Sequence, residues 1–187
     1  ATSTLDTSLI NYGGLVSGDT LTGTYSGVFN NANVAAGKTV TITSSYSGTD
    51  VNNYTITDQA STTADVTAKA LTATASASNK TYDGTTTATT TLTFSGLVGS
   101  ETLGQTVGST FNNKNVSTGK TVTVNSVTLA DGTGLAANYS ISPGQTTTAH
   151  ISKKLLTVSS ISASNKTYDA SDTATTTLTL SGFIGTE

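Results

Sequence analysis

Ser78-Asn79-Lys80-Thr81-Tyr82-Asp83-Gly84 decides the reading of this chain. It returns 86 residues later as Ser164-Asn165-Lys166-Thr167-Tyr168-Asp169-Ala170. A stretch that recurs at so long a spacing marks a tandem array, and an array has to be recognised before its parts are interpreted. Other pieces recur around it. Gly14-Leu15-Val16, Gly96-Leu97-Val98 and Gly182-Phe183-Ile184 form one set. Phe29-Asn30-Asn31 with Asn33-Val34 matches Phe111-Asn112-Asn113 with Asn115-Val116. Gly37-Lys38-Thr39-Val40 matches Gly119-Lys120-Thr121-Val122, and Asn53-Tyr54-Thr55-Ile56 matches Asn138-Tyr139-Ser140-Ile141. The last pair is three residues further apart than the others, and the extra residues fall in the Gly-containing loop 130–137, where insertions are tolerated.

The array is out of phase with the chain. Residues 1–69 form a partial repeat lacking its first strand, residues 70–154 a complete repeat, and residues 155–187 the start of a third. The Ser-Asn-Lys-Thr-Tyr-Asp-Gly element has no counterpart ahead of Ala1, and the reading expects a longer array from which this section comes.

Within the complete repeat the dominant period is two, the signature of half-buried strands. Leu71, Ala73 and Ala75 alternate with Thr and Ser; Leu92 and Phe94 share a face; Val122 and Val124 alternate with Thr121 and Thr123. Val127 and Leu129 resume with the parity shifted by one, which places a bulge near Asn125-Ser126. About a quarter of the chain is Thr, a β-branched residue that favours strands. No apolar i, i+3, i+4 stripe is present, so no helix is expected. The expected fold class is all-β: small antiparallel, immunoglobulin-like β-sandwiches in tandem, forming an extended rod. A β-solenoid is the alternative, although its usual period of roughly 20–30 residues is not found. The expected core is Leu92, Phe94, Leu97, Val98, Phe111, Val122, Val124, Tyr139, Ile141, Ile151 and Leu156. The joint 151–157 contains neither Gly nor Pro, as a stiff connection requires.

Composition limits the function classes. Charged residues make up 10%, the net charge is −3 and there is no Arg, so no basic field exists to hold a phosphate backbone and no nucleic-acid partner is expected. Cys, Met and Trp are absent, which rules out a disulfide staple. No apolar run reaches the roughly 20 residues of a membrane helix, and no membrane insertion is expected. With its Thr, Ser, Asn and Gly richness, the chain fits an exported surface protein better than a cytosolic enzyme.

Taken together, Asn-Lys-Thr-Tyr-Asp-Gly at 79–84, Ser-Gly-Leu-Val-Gly at 95–99, Phe111 to Val122, Asn138 to Ile141 and the stretch from Thr147 to Val158 resemble the YDG-type repeat domain. Ala170 replaces the glycine of the signature in the third repeat, and Ile10 to Gly13 of the first diverge. The resemblance implies stalk repeats of large secreted bacterial adhesins of the filamentous-haemagglutinin kind, on the cell surface, with no catalytic residues.

The candidate residues are read accordingly. Tyr82, Asp83 and Gly84, with Tyr168 and Asp169, are structural signature residues: an aromatic packed at a domain end before an Asp-Gly turn. His150 is the only histidine and aligns with Asp65, which leaves neither a triad nor a zinc set. Asp169 and Asp172, beside Asn165, come nearest to a calcium cluster, but calcium takes six to eight oxygens and no cofactor is expected. Asn79, Asn115 and Asn165 head Asn-x-Ser/Thr sequons and are candidate glycosylation acceptors; Asn53 and Asn138 also match the pattern. A Lys–Asn isopeptide bond, with Lys80 or Lys120 facing an Asn, would suit a stalk but needs an adjacent buried acid, which the sequence does not place. Expected partners are neighbouring repeats, copies of the chain joined head to tail by strand complementation, or surface glycans bound by Tyr12, Tyr25 or Tyr46.

Overall fold

The computed structural model describes residues 2–3 and 13–186. The strands, in chain order, are β1 (Thr2–Ser3), β2 (Thr22–Phe29), β3 (Ala35–Ser47), β4 (Ser61–Val66), β5 (Lys69–Ala70), β6 (Thr72–Ala77), β7 (Lys80–Thr81), β8 (Thr87–Ala88), β9 (Thr90–Ser95), β10 (Leu103–Phe111), β11 (Ser117–Asp131), β12 (Tyr139–Ser140), β13 (Thr146–Ser152), β14 (Thr157–Ala163) and β15 (Thr176–Ser181). Single 3-10 turns at Val51–Asn53 and Ala136–Asn138 are the helical elements among the described residues. The protein is all-β, built from several small sheets, none of them closed.

The described chain divides into two compact units. One runs to Ala70 and takes in Leu135–Ser140; the other comprises Leu71–Gly134 and the chain from Ile141 onward. In the first, the order β1-β2-β3-β4 is antiparallel throughout. β5 and β12 form a separate two-residue parallel pair, Tyr139 opposite Lys69 and Ser140 opposite Ala70.

In the second unit, a five-stranded sheet of order β7-β13-β11-β10-β8 carries the core. Alternation along β11 turns Lys120, Val122 and Val124 inward and leaves Thr121 exposed. Val122 meets Phe111 across the ladder, and Ala88, Ala149 and Ile151 complete the cluster, with Ala77 and Tyr82 packed against it. Each large apolar side chain buried there contributes about 1.5–3 kcal/mol. The register of β10 against β11 slips between Gly108 and Ser109, whose partners are Ser126 and Val124, so Asn125 is the extra residue, at the place the parity shift indicates. The bulge lets Val127 and Leu129 resume on the other parity without breaking the strand.

The β6–β9 hairpin packs on this sheet through polar ties as well as apolar ones. Gln105 on β10 donates to the Leu92 carbonyl at 2.7 Å and accepts the Leu92 amide at 2.9 Å. Its side-chain amide thereby stands in for a neighbouring strand. Ser109 donates to the Ala88 carbonyl at 2.9 Å and lies 2.6 Å from the Thr90 hydroxyl.

Three sequence expectations are corrected. Val98 is 54% exposed and Leu156 37%, so neither is core. Val98 opens a tight turn closed by the Glu101 amide on its carbonyl, which holds it at the periphery. Phe94, Leu97 and Ile141 are only half-buried, and Leu71, Ala88 and Ala149 are buried outside the expected set. Finally, the sheets are not purely antiparallel: β7 joins β13 in parallel, Ile151 opposite Lys80. The repeat signature itself supplies that parallel edge.

Candidate functional site

The signature stretch folds into a loop organised by one lysine. Lys80 reaches the Asp83 carboxylate at 2.8 Å, the Thr85 carbonyl at 2.9 Å and hydroxyl at 3.1 Å, and the Thr87 carbonyl at 2.9 Å. Its ammonium also stands 5.5 Å from the centre of the Phe111 ring, within cation–π range. Asp83 in turn accepts the Thr85 amide and hydroxyl, both at 2.9 Å. Lys80 and these donors hold the Asp83 carboxyl down to about 2. Between them, Gly84 adopts φ +77°, a backbone open to glycine at little cost. The Tyr82 amide donates to the Ser152 carbonyl at 2.9 Å, which pins the loop to the sheet. The Asp83-Gly84 turn lies between β7 and β8.

The third copy repeats the design. Lys166 binds Asp169 at 2.9 Å and the Ser171 carbonyl at 2.6 Å, and Asp169 accepts the Ser171 amide at 3.1 Å. Lys166 foremost, then the Ser171 amide, keeps the Asp169 carboxyl below its usual range. Ala170 occupies the glycine position at φ +61°. Tyr168 is 90% exposed, whereas Tyr82 is half-buried. Asp172 is exposed, and among the described residues no group of three or more acidic or histidine side chains converges as a cation site would require.

A second lysine-centred loop joins β2 to β3 and β10 to β11. Lys38 is 6% exposed and donates to the Asn31 carbonyl at 2.9 Å, to Asn31 Oδ1 at 2.6 Å and to the Asn33 carbonyl. Lys120, also 6% exposed, donates to Asn113 Oδ1 at 2.6 Å. The same Asn oxygens accept the amides of Asn33 and Asn115, each at 3.0 Å. These are Lys–Asn pairs of the kind an isopeptide bond would use, and the contacts they make are hydrogen bonds to amide and carbonyl oxygens. The geometry is that of a hydrogen-bonded clamp.

His150 finds its role in the same loop. Gly119, at φ +60°, donates its amide to His150 Nδ1 at 2.8 Å; Gly37, at the same φ, donates to Asp65 Oδ1 at 2.7 Å. The two aligned residues are one device, an acceptor for the glycine amide at the start of the long strand. An accepting Nδ1 places the ring proton of neutral His150 on Nε2. Asn79 Oδ1 accepts the His150 amide at 2.7 Å, so this sequon residue also ties the loop to β13. Asn79, Asn115 and Asn165 are all exposed.

The first unit carries a tyrosine-lined groove of about 520 Å³. Tyr25 and Tyr46 meet edge to face at 5.9 Å, and Tyr54 lies along the same groove. Tyr54 donates to Asp19 at 2.6 Å and accepts the Val16 amide at 2.9 Å. Its hydroxyl is raised above the ordinary tyrosine range, chiefly by the bond to Asp19. Tyr46 donates to Asp58. Tyr12, the third tyrosine expected with this pair, lies outside the described residues.

The YDG domain model matches residues 1–64 and again residues 67–149. The chain belongs to the YDG domain family. The two matches follow the internal duplication, and the second contains the Lys80–Asp83 loop and the Lys120 clamp. Comparison with curated proteins and with solved structures finds no match. Among the described residues, no helix is long and apolar enough to cross a membrane.

Proposed function

We propose that this YDG chain is a structural section of a bacterial surface adhesin: tandem β units, exported, that build a stalk or filament and hold a binding region away from the cell. The observation that carries the reading is the recurrence of the same polar clamps. The Lys38 and Lys120 loops, and the Lys80 and Lys166 loops, are the same constructions at equivalent positions. Residues that recur between units and spend their polar groups on their own loops hold shape, whereas a catalytic set needs groups left free to meet a substrate. Immunoglobulin-like sandwiches in a rod are the finer architecture we propose. Small-angle scattering on a chain of four or more repeats tests it. A maximum dimension that grows in proportion to repeat number supports the stalk, and a compact particle of constant aspect ratio refutes it.

The groove lined by Tyr25, Tyr46 and Tyr54 favours a second reading, in which a unit itself binds surface glycans. Aromatic faces beside carboxylates suit the alternating apolar and hydroxyl surfaces of a sugar ring. Saturable binding on a glycan array that is lost in Tyr46→Ala supports this reading. An array without hits, with the tyrosine groove intact by NMR, refutes it.

A further inference from the structure

The two places where one repeat gives way to the next are chemically equivalent but differently occupied. Around β5, the first unit seats the segment Leu135–Ser140. Asn138 is its key: Oδ1 accepts the Val34 amide at 2.9 Å and Nδ2 donates to Asn33 Oδ1 at 3.1 Å. Tyr139 and Ser140 then pair in parallel with Lys69 and Ala70, and Tyr139 is only 7% exposed.

The repeat alignment carries Asn33, Val34, Lys69 and Ala70 onto Asn115, Val116, Lys154 and Leu155 in the second unit. There the seat is open. Residues 153–156 carry no strand ladder. Val116 is 42% exposed and Leu155 80%. Leu156 is 37% exposed, while its counterpart Leu71 is 6%. A groove of about 380 Å³ lies at this position, lined by Tyr82, Val116, Lys154, Leu156, Phe183 and Ile184.

We infer that this groove is a docking site for the Asn-Tyr-Ser/Thr segment of another YDG unit. The incoming Asn takes the Val116 amide and the Asn115 side chain. The residues after it add a short parallel strand along Lys154 and Leu155, and the tyrosine ring covers the apolar floor. Main-chain pairing supplies affinity, and the Asn amide, which must both accept and donate, supplies register. This rests on the stalk reading and deepens it, because a segment seated on another unit joins the two by more than the covalent chain.

The test uses the full 187-residue chain, labelled with 15N, and the synthetic nonapeptide Gly-Leu-Ala-Ala-Asn-Tyr-Ser-Ile-Ser, the sequence of residues 134–142. The expected result is saturable shifts at the amides of Val116, Lys154, Leu155 and Phe183. Replacing the peptide Asn by Ala weakens binding about tenfold, the loss expected for two hydrogen bonds. Asn115→Ala in the chain weakens the native peptide but not the Ala peptide. A second arm tethers the peptide after Glu187 through a Gly-Ser linker, which raises its effective concentration to the millimolar range. Absence of shifts at these amides in both arms, or equal shifts with a scrambled peptide, overturns the inference. Peptide seating combined with a compact multi-repeat particle would instead defeat the stalk reading alone.

Discussion

Replacing Lys120 by Met keeps an unbranched stem of similar length and removes the ammonium. The side chain is 6% exposed and its Nζ lies 2.6 Å from Asn113 Oδ1. A hydrogen bond from a charged donor contributes about 1.5–3 kcal/mol. Two adjustments bring the expectation to about 2 kcal/mol of destabilisation. Asn113 Oδ1 still accepts the Asn115 amide, so the variant leaves no orphaned acceptor. Removing a buried ammonium also recovers part of its desolvation cost. At urea slopes of about 1–3 kcal/mol/M, the midpoint falls by roughly 1 M. The first unit supplies an internal control, because Lys38→Met removes the equivalent clamp there. Hydrogen exchange followed along a urea series assigns each loss. Lys120→Met should lower protection at Val122 and Val124, and Lys38→Met protection at Val40. An Asn113→Ala, Lys120→Met cycle should return a coupling of about 1–2 kcal/mol. Losses below about 0.5 kcal/mol for both lysines, the range of exposed charge pairs, would refute the clamp argument.

Gln105→Leu removes both bonds to the Leu92 backbone and leaves its part-buried amide unmatched; a loss of about 2–3 kcal/mol is expected, with Leu92 amide exchange the first to accelerate. Asp83 is ionised more readily in the fold than in the unfolded chain, so its contribution is complete above the ordinary aspartate value of 3.8 and disappears as pH falls through about 2. A carboxyl 13C titration should therefore give a midpoint near the lower value, moving toward the higher one in Lys80→Met. Gly84→Ala places a Cβ 3.0 Å from Ile184 Cγ2 at φ +77° and should cost about 1–2 kcal/mol, whereas Ala170→Gly at φ +61° should gain about 1 kcal/mol in melting experiments.

The strands were legible because their signal is local. Alternation around Val122 and Val124 dictates which face is buried, and the parity change at Asn125 gives away the bulge. What stayed hidden depends on partners far along the chain. Nothing around Gln105 indicates that its amide completes the edge of β9, since the residue aligned with it in the first repeat is Gly23. Val98 and Leu156 look like core by hydrophobicity, but their exposure is set by what packs on a turn and a joint, which periodicity does not encode. His150 is an intermediate case. Its alignment with Asp65 was visible and argued against catalysis, but the shared property, an acceptor aimed at a glycine amide, appears only once Gly119 and Gly37 are both placed at φ +60°.

The polar clamps also explain how so apolar-poor a chain holds a fold. Hydrophobic residues make up 34% of the sequence and no disulfide is available, so the buried cluster of the second unit centres on Ala88, Phe111, Val122, Ala149 and Ile151. Small cores of this kind give a narrow margin over conformational entropy. That entropy concentrates in the loops between strands, and Lys80 and Lys120 each bind one such loop, 82–86 and 112–116. Each lysine gathers acceptors within a few residues of its own position, so the loop is ordered locally and needs little from the core. A unit built this way tolerates exchange of surface residues between copies, as Lys114 for Ala32 within one loop shows, while Lys38 and Lys120 stay in register. The same logic places the sensitivity of the fold at the lysines, more than at the tyrosine of the signature: Tyr82 packs on the core and Tyr168 is exposed, yet both loops close around their lysine in the same way.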